Sequence, residues 1–237
     1  MASIVPDKNL FIVTSALEPR VGVITKEDRF KQTIATLENL KQKVPEALIL
    51  FTDGSPVQCD SEHMKEISKY VHGTMYWCED AQIKDFGMFG KKSEAEILLL
   101  IKTLTLLKQN PDLQKIMSSV KRIFKYSARS LLQDEFSIGI YDNSNLYGRY
   151  VFKERIPTWI DDKSITSHLL ITRLFSLCPS LLDDYMQTLL KALNSCMRYG
   201  IDTENAHFRE IDKKYLVELR KLYCEGIMAG TGKKEVY

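Results

Sequence analysis

The segment RIFKYSARSLL, residues 122–132, decides the fold. Its first half is an apolar, β-rich run that predicts a buried strand, and this strand ends in a lysine, a small hydroxyl and an arginine. Three predicted strand–helix units precede it, so strands and helices alternate over the first 130 residues. That alternation predicts a parallel sheet with helices on both faces. Ligands of such sheets bind at the carboxyl ends of the strands, where the lysine and the arginine lie.

Hydrophobic periodicity and breaker residues delimit the other elements. Thr25 and Asp28 form an approximate capping box that begins the first helix, and Pro45 ends it. Asn110-Pro111-Asp112 ends the third helix. The predicted strands are residues 9–17, 46–55, 74–78 and 120–127, and the predicted helices are residues 25–44, 61–71 and 93–108. After residue 130 we expect a hairpin over residues 136–155, a strand over 167–177, helices over 180–199 and 212–228, and a frayed tail over 229–237.

Composition restricts the class of protein. The 237 residues are 44% apolar and 27% charged, which is typical of a globular chain. A net charge of +2 excludes a grossly basic nucleic-acid binder, although a local basic patch stays open. The five cysteines are scattered without a C-x-x-C, so neither a zinc ribbon nor a disulfide framework is indicated. No signal peptide and no apolar run of membrane-spanning length are found, and we expect a cytoplasmic protein without membrane attachment.

Polar residues follow the predicted strands at one edge of the sheet. A single loop Asp or Ser is more often a turn residue than a ligand, but several of them are expected to converge here. The segment GKKSEAE, residues 90–96, adds a glycine, two lysines and a serine at the start of a helix, where backbone N–H groups favour an anion. Alternatively, Ser93 only caps that helix and its lysines are solvated. Arg29 at the start of the first helix could face the same edge. The strand-end residues are Thr14, Ser15, Asp53, Glu79, Asp80, Ser127 and Arg129.

One histidine has an acidic neighbour at helical spacing. Glu204 precedes His207 by three residues, so the two side chains could meet on one turn. Such a pair can bind a metal or act as acid and base, and a surface ion pair is the alternative. Among familiar catalytic patterns, G-x-S-x-G, H-E-x-x-H and G-x-G-x-x-G do not occur.

Taken together, these segments resemble the glycosyltransferase A fold, the nucleotide-diphospho-sugar transferase superfamily. More narrowly, the chain is similar to small sugar transferases of tailed phages and some bacteria. The segments that carry the resemblance are FIVTSAL (11–17), EDRFKQTIATLENLKQKVPEALILFTDGS (27–55), GKKSEAEILLL (90–100), FKYSARSLL (124–132), YVFKER (150–155), ITRLFSL (171–177), LLDDY (181–185) and TENAHF (203–208).

The resemblance implies a Rossmann-like, mostly parallel α/β sheet with a C-terminal helical portion, in a single domain over residues 1–237. Residues 1–130 would bind the donor, a nucleoside-diphosphate sugar with UDP favoured, and residues 131–237 would bind the acceptor. An aspartate-rich metal motif usually stands where this chain has Ser127 and Arg129. The departing diphosphate would therefore be neutralised by Arg129, Lys125 and Arg173, and a manganese or magnesium ion held through His207 stays open. The implied donor-binding residues are Thr14, Ser15, Arg29, Asp53, Lys92, Glu96, Ser127 and Arg173.

For the chemistry of transfer, Glu204 or Asp183 is the expected base and Arg129 the expected leaving-group stabiliser. The resemblance favours 5-hydroxymethylcytosine in double-stranded phage DNA as acceptor. Arg149 and Lys153, in the basic and aromatic segment YGRYVFKER, would contact it, unless that segment is only an ordinary strand. A glycan, a lipid-linked sugar or a protein as acceptor stays open, as does an inactive binding or structural protein.

Overall fold

The centre of the molecule is a seven-stranded sheet, seen in a computed structural model that describes residues 7–20, 23–227 and 234–237. The strands of this part of the chain are β1 (Lys8–Ser15), β2 (Leu48–Asp53), β3 (Gly73–Tyr76), β4 (Val120–Ser127), β5 (Ser130–Leu132), β6 (Tyr150–Lys153), β7 (Ile156–Pro157), β8 (His168–Leu169), β9 (Leu174–Leu177), β10 (Leu216–Leu219), β11 (Cys224–Ile227) and β12 (Lys234–Val236). The central sheet has the order β10-β6-β9-β4-β1-β2-β3, in which β9 alone runs antiparallel to its neighbours. The predicted mostly parallel α/β sheet is confirmed.

Helices cover both faces of this sheet. They are α1 (Lys26–Lys43), α2 (Ser61–Ser68), α3 (Ala81–Met88), α4 (Lys92–Gln109), α5 (Pro111–Met117), α6 (Leu182–Tyr199) and α7 (Thr203–Glu210). The Thr25 hydroxyl accepts a hydrogen bond from the Asp28 backbone N–H at 3.1 Å, as the predicted cap of α1 requires. The predicted break at Asn110 is also present, but Pro111 occupies the first turn of a new helix, where proline is well tolerated.

Alternate residues of β1 pack into two separate apolar cores. Leu10 and Ile12 face one core, which α4, α6 and α7 cover. Phe11 and Val13 face the other, which α1 and a second, three-stranded sheet of order β12-β11-β5 close. Because both faces are buried, the strand is apolar throughout its interior, as parallel strands in such proteins usually are.

The strand order reverses between β1 and β4. The chain passes from β1 outward to β2 and β3 and then returns to β4 on the other side of β1. Loops diverge at such a reversal and leave a crevice at the carboxyl ends. Because β9 is antiparallel, its first residues lie at the same edge, and the Ser127 N–H donates to the Arg173 carbonyl at 2.8 Å.

The part of the chain after residue 135 departs from the sequence-based prediction. The predicted hairpin over residues 136–155 is wrong: short 3-10 turns occupy Ile138–Asp142 and Ser144–Leu146, and β6 pairs with β9 and β10. The predicted helix over residues 212–228 is wrong as well, because that segment forms β10 and β11. The apolar residues of this segment are compatible with the periodicity of a helix and with that of a strand. However, Leu216 packs into one core, and Val217 and Leu219 pack into the other, which is the alternation of a strand.

The predicted frayed tail falls partly outside the described residues, which omit 228–233. Where the chain is described again, the tail is not frayed, since Lys234–Val236 pairs with β11 and Tyr237 is buried. The helix α3 was not predicted, and the single strand expected over residues 167–177 is divided into β8 and β9. Within the described ranges no helix has the length and hydropathy needed to cross a bilayer.

Candidate functional site

A cavity of about 200 Å³ lies at the strand reversal, between the carboxyl ends of β1 and β4. Thr14 and Ser15 contribute to its wall from β1, and Ser127 contributes from β4. The Ala128 N–H donates to the Thr14 carbonyl at 3.0 Å, which holds the two strand ends together. The complete lining is Thr14, Ser15, Ala16, Pro19, Arg20, Arg29, Gly54, Pro56, Gly87, Lys92, Ala95, Glu96, Leu99, Lys125, Ser127, Ala128, Arg129, Thr172, Arg173 and Glu204.

Three arginines from different elements meet in this cavity. Arg29 comes from the first turn of α1, Arg129 follows β4, and Arg173 precedes β9. None of them has a carboxylate within 4 Å among the described residues, whose ion pairs involve other groups. The buried Nε atoms of Arg29 and Arg129 also lack a hydrogen-bond partner there. Arg29 is buried, and Arg129 and Arg173 are half-buried. Cationic side chains in such surroundings are costly without a carboxylate partner, so their convergence indicates a site for an anion.

The pKa values of these arginines reflect their crowding. Burial, followed by the positive charges of Arg129 and Arg173, lowers the pKa of Arg29 to about 10. Burial and the charge of Arg173 likewise lower the pKa of Arg129. An anion with more than one negative charge would relieve this repulsion. The Ser15 Oγ, buried at the cavity wall, is another polar atom without a partner in the described structure.

The cavity lining also contains two carboxylates, Glu96 and Glu204. Glu96, on the second turn of α4, pairs with Lys125, whose side chain is only 4% exposed and also donates to the Thr172 carbonyl at 2.8 Å. Burial opposes ionisation of Glu96, but the charges of Lys125 and Arg129 outweigh it and lower its pKa. Glu96 is therefore a fixed carboxylate held by its lysine.

The pKa of Glu204 is shifted in the opposite direction to that of Glu96. The Glu204 Oε1 accepts a hydrogen bond from the Thr172 hydroxyl at 3.0 Å, and this carboxyl has no cationic partner within 4 Å among the described residues. Burial, together with the negative charges of Glu96 and Asp202, raises the pKa of Glu204 to about 7. A carboxyl that titrates near neutrality can take up and release a proton at physiological pH.

The segment GKKSEAE reaches the cavity through two of its residues. Lys92 and Glu96 line it, whereas Lys91 is exposed over the ring of Phe86. Ser93 does not cap its own helix. Its Oγ accepts a hydrogen bond from the Thr203 N–H at 3.2 Å, which ties the start of α4 to the start of α7 and brings Glu96 and Glu204 to the same wall.

Asp53 is behind the cavity rather than in it. Its two carboxylate oxygens accept hydrogen bonds from the backbone N–H groups of Leu17, at 2.8 Å, and Ser55, at 2.9 Å. Only 1% of the residue is exposed. The predicted donor contact of Asp53 is therefore corrected: this carboxylate holds the loops after β1 and β2 together, and those loops form the wall.

Three other predicted site residues lie outside the cavity lining. Asp183 pairs with Lys108, sixteen residues and about 24 Å along α4 from Lys92, so it is not placed to act as the base. Arg149 donates to the Lys214 carbonyl, at the edge of the sheet where β6 begins. Lys153 is at the carboxyl end of β6, on the same edge as the cavity but outside it.

His207 is not placed to bind a metal. It is fully buried, its Nδ1 donates to the Thr203 carbonyl at 2.8 Å, and its Nε2 accepts from the Tyr185 hydroxyl at 2.9 Å. Burial lowers its pKa to about 4, so it is a neutral core residue. Across residues 7–20, 23–227 and 234–237 no group of three or more His, Cys, Asp or Glu side chains could hold a metal ion. In the cavity Glu96 is already paired with Lys125, which leaves Glu204 as the one unpaired carboxylate among the described lining residues, so the donors present do not fit a divalent cation.

Sequence reasoning missed part of the lining. Arg20 and Thr172 were not predicted, although Arg20 follows a predicted strand and Thr172 adjoins Arg173 in the sequence. Pro19, Pro56 and Leu99 add an apolar part to the wall that no polar motif could indicate.

No protein-family model matches the chain, and no curated protein matches it in sequence. Among solved structures, the chain is similar to core-mannan synthase A from Aspergillus fumigatus in its Mn/GDP form. The sequence identity is 10% and the TM-score is 0.47, over 90% of this chain and 72% of that chain. So distant a similarity does not establish a shared activity or a shared metal requirement.

Proposed function

We propose that this protein is a glycosyltransferase, which moves a sugar from a nucleoside-diphosphate sugar to a hydroxyl acceptor. The observation that carries the proposal is the convergence of Arg29, Arg129 and Arg173, without carboxylate partners in the described structure, at the strand reversal of a mostly parallel sheet. A diphosphate has the charge that this cluster lacks, and arginine forks match phosphate oxygens in geometry. The sequence resemblance to the glycosyltransferase A fold supports the same class of reaction.

The cavity has a group for each half of such a reaction. Glu204 takes the proton of the acceptor hydroxyl, whose oxygen attacks the anomeric carbon of the sugar. The bond between that carbon and the diphosphate oxygen breaks, and the nucleoside diphosphate leaves with the electron pair. Arg129 and its neighbouring arginines neutralise the charge that develops on the leaving oxygen. We assign no step of this reaction to a metal ion.

Lys92 and Glu96 complete the donor site in this proposal. Lys92 lies at the start of α4, where its ammonium group and the helix N-terminus both favour a phosphate. Glu96, fixed by Lys125, offers a carboxylate that can accept hydrogen bonds from sugar hydroxyls. Thr14, Ser15 and Ser127 supply further hydroxyls along the wall.

The identities of the donor and of the acceptor rest on the sequence resemblance alone. A UDP-sugar, 5-hydroxymethylcytosine in double-stranded phage DNA and a cytoplasmic location form the first version of the proposal. The location of Arg149 outside the cavity gives the DNA acceptor no support, and Lys153 contributes only its position at the same edge. A glycan, lipid-linked sugar or protein acceptor is the second version, and an inactive binding protein is the third.

The first experiment is calorimetric titration of the protein with UDP, GDP and CDP, each with and without manganese. We expect one of the three to bind without metal. Mass spectrometry of hydroxymethylcytosine DNA, incubated with the protein and a panel of donor sugars, then tests the acceptor. An unchanged base with every donor would remove the DNA version. Failure of all three nucleotides to bind would refute the transferase.

A further inference from the structure

The second sheet holds two of the cavity arginines from behind. The Arg173 Nη1 donates to the Ile227 carbonyl of β11 at 2.9 Å. The backbone N–H of the same residue, Ile227, donates to the Arg129 carbonyl at 3.3 Å. The strand β11 therefore contacts the side chain of one arginine and the backbone of the other.

Gly226 allows this close approach. A Cβ at this position would lie 2.9 Å from the Arg173 Nη1, 2.9 Å from the Ser130 Oγ and 3.3 Å from the Arg129 carbonyl. A contact of 2.9 Å is too short for a Cβ, so any other residue would displace the Arg173 guanidinium, the Ser130 hydroxyl or both. The absence of a side chain at Gly226 thus leaves the space that the Arg173 guanidinium occupies.

Tyr237 also contacts the Arg173 guanidinium. The Arg173 Cζ lies 5.3 Å from the centroid of the Tyr237 ring, within the range of a cation–π contact. Backbone hydrogen bonds hold the tyrosine in place: its N–H donates to the Cys224 carbonyl at 2.7 Å, and its carbonyl accepts from the Leu222 N–H at 3.1 Å. The ring is buried, yet Tyr237 does not line the cavity.

We propose that Tyr237 is a positioning residue, which holds Arg173 in the orientation needed to bind a diphosphate without touching the ligand itself. The nature of the anion rests on the proposed function, whereas the contact between ring and guanidinium does not. A neutral aromatic ring suits this position because a carboxylate would pair with Arg173 and cancel the charge that the cavity requires. The ring restrains the guanidinium and leaves its charge available.

The test compares Tyr237→Phe with Tyr237→Leu. The first keeps the ring and removes only the hydroxyl, which donates to Glu235. The second replaces the ring with a smaller aliphatic side chain. Affinity for inorganic pyrophosphate and for UDP is measured by calorimetry. We expect the Phe variant to bind within twofold of the wild type and the Leu variant to bind about tenfold more weakly, as loss of a partly desolvated cation–π contact implies. Gly226→Ala should weaken binding in the same direction by displacing the guanidinium.

A second readout does not depend on binding. In the nuclear magnetic resonance spectrum of the ligand-free protein, the Tyr237 ring should shift the Arg173 side-chain resonances. The shift should persist in the Phe variant and disappear in the Leu variant, while thermal unfolding confirms that both are folded. An unchanged Arg173 resonance in the folded Leu variant would overturn the inference, as would wild-type affinity for both anions. If the wild type binds neither anion but the ring shift follows this pattern, the proposed function fails and the contact stands without its role.

Discussion

Replacing Arg129 by methionine should separate binding from stability. Methionine keeps the length of the side chain and removes the charge. Each hydrogen bond from a charged donor to a phosphate contributes about 1.5–3 kcal/mol, so the variant should bind UDP roughly 10- to 150-fold more weakly. The decrease should appear as a higher dissociation constant in calorimetry at low ionic strength, where the charge interaction is least screened.

The same substitution should stabilise the protein without ligand. Because the pKa of Arg29 is lowered to about 10, keeping its guanidinium charged in the folded protein costs roughly 3 kcal/mol. Burial is the largest cause of that lowering, and Arg129 is the next. Removing Arg129 should therefore raise the free energy of unfolding by about 1 kcal/mol and the midpoint temperature by about 2–4 °C for a chain of this size.

Arg149→Met is the matched control for this experiment. The Arg122 guanidinium donates to the Arg149 carbonyl, so Arg149 lies beside Arg122. Arg122 is five residues, or about 16 Å along β4, from Ser127 at the cavity. The Arg149→Met substitution should leave UDP binding unchanged. Wild-type affinity in Arg129→Met would refute the anion site, and a joint loss of stability and affinity would show that Arg129 is a structural residue.

Three further predictions concern the remaining polar groups. The value of kcat/KM should rise as the pH increases through about 7, because Glu204 must be ionised to act as a base, and Glu204→Gln should lose about 10²- to 10⁴-fold in rate. Because the pKa of Glu204 is raised in the folded protein, the stability that this carboxyl contributes is present below about pH 4 and is lost as the pH rises through 7. Unfolding curves of the Gln variant should not show that loss. Asp183→Asn should keep full turnover and change stability by less than about 1 kcal/mol, because its pair with Lys108 is exposed; a large loss of rate would restore it as a candidate base. His207→Ala should lower the free energy of unfolding by about 2–4 kcal/mol through the cavity and the unpaired Tyr185 hydroxyl, and manganese should not alter the unfolding temperature of the wild type; a metal-dependent shift that the variant abolishes would contradict this.

The sheet could be predicted because its strands carry their own signals. The strands up to β4 are short apolar runs bounded by turn or cap residues, and alternation with helices leaves little choice of topology. The strand-end rule then placed Thr14, Ser15, Ser127 and Arg129 at one edge, and the structure brings all four into one cavity. These residues lie next to the strands that position them, so local sequence was sufficient.

The C-terminal third could not be predicted in the same way. The strands β10 and β11 form by pairing with β6 and β5, which are distant in the sequence. The local apolar pattern is compatible with a helix as well as a strand, so it could not reveal that pairing. Asp183 and Asp53 have the right chemistry, but their surroundings decide their roles: one pairs with a lysine at the far end of α4, and the other is occupied by backbone N–H groups. The division of the chain at residue 130 stays a prediction, although Arg173 and Glu204 from the second part join the same cavity.

The most direct test of the three-arginine site is a crystal structure of the protein with UDP and without divalent metal. We expect phosphate oxygens within hydrogen-bonding distance, about 3 Å, of the guanidinium groups of Arg129 and Arg173. A diphosphate bound elsewhere on the molecule, or arginines turned away from a phosphate in the cavity, would contradict this expectation.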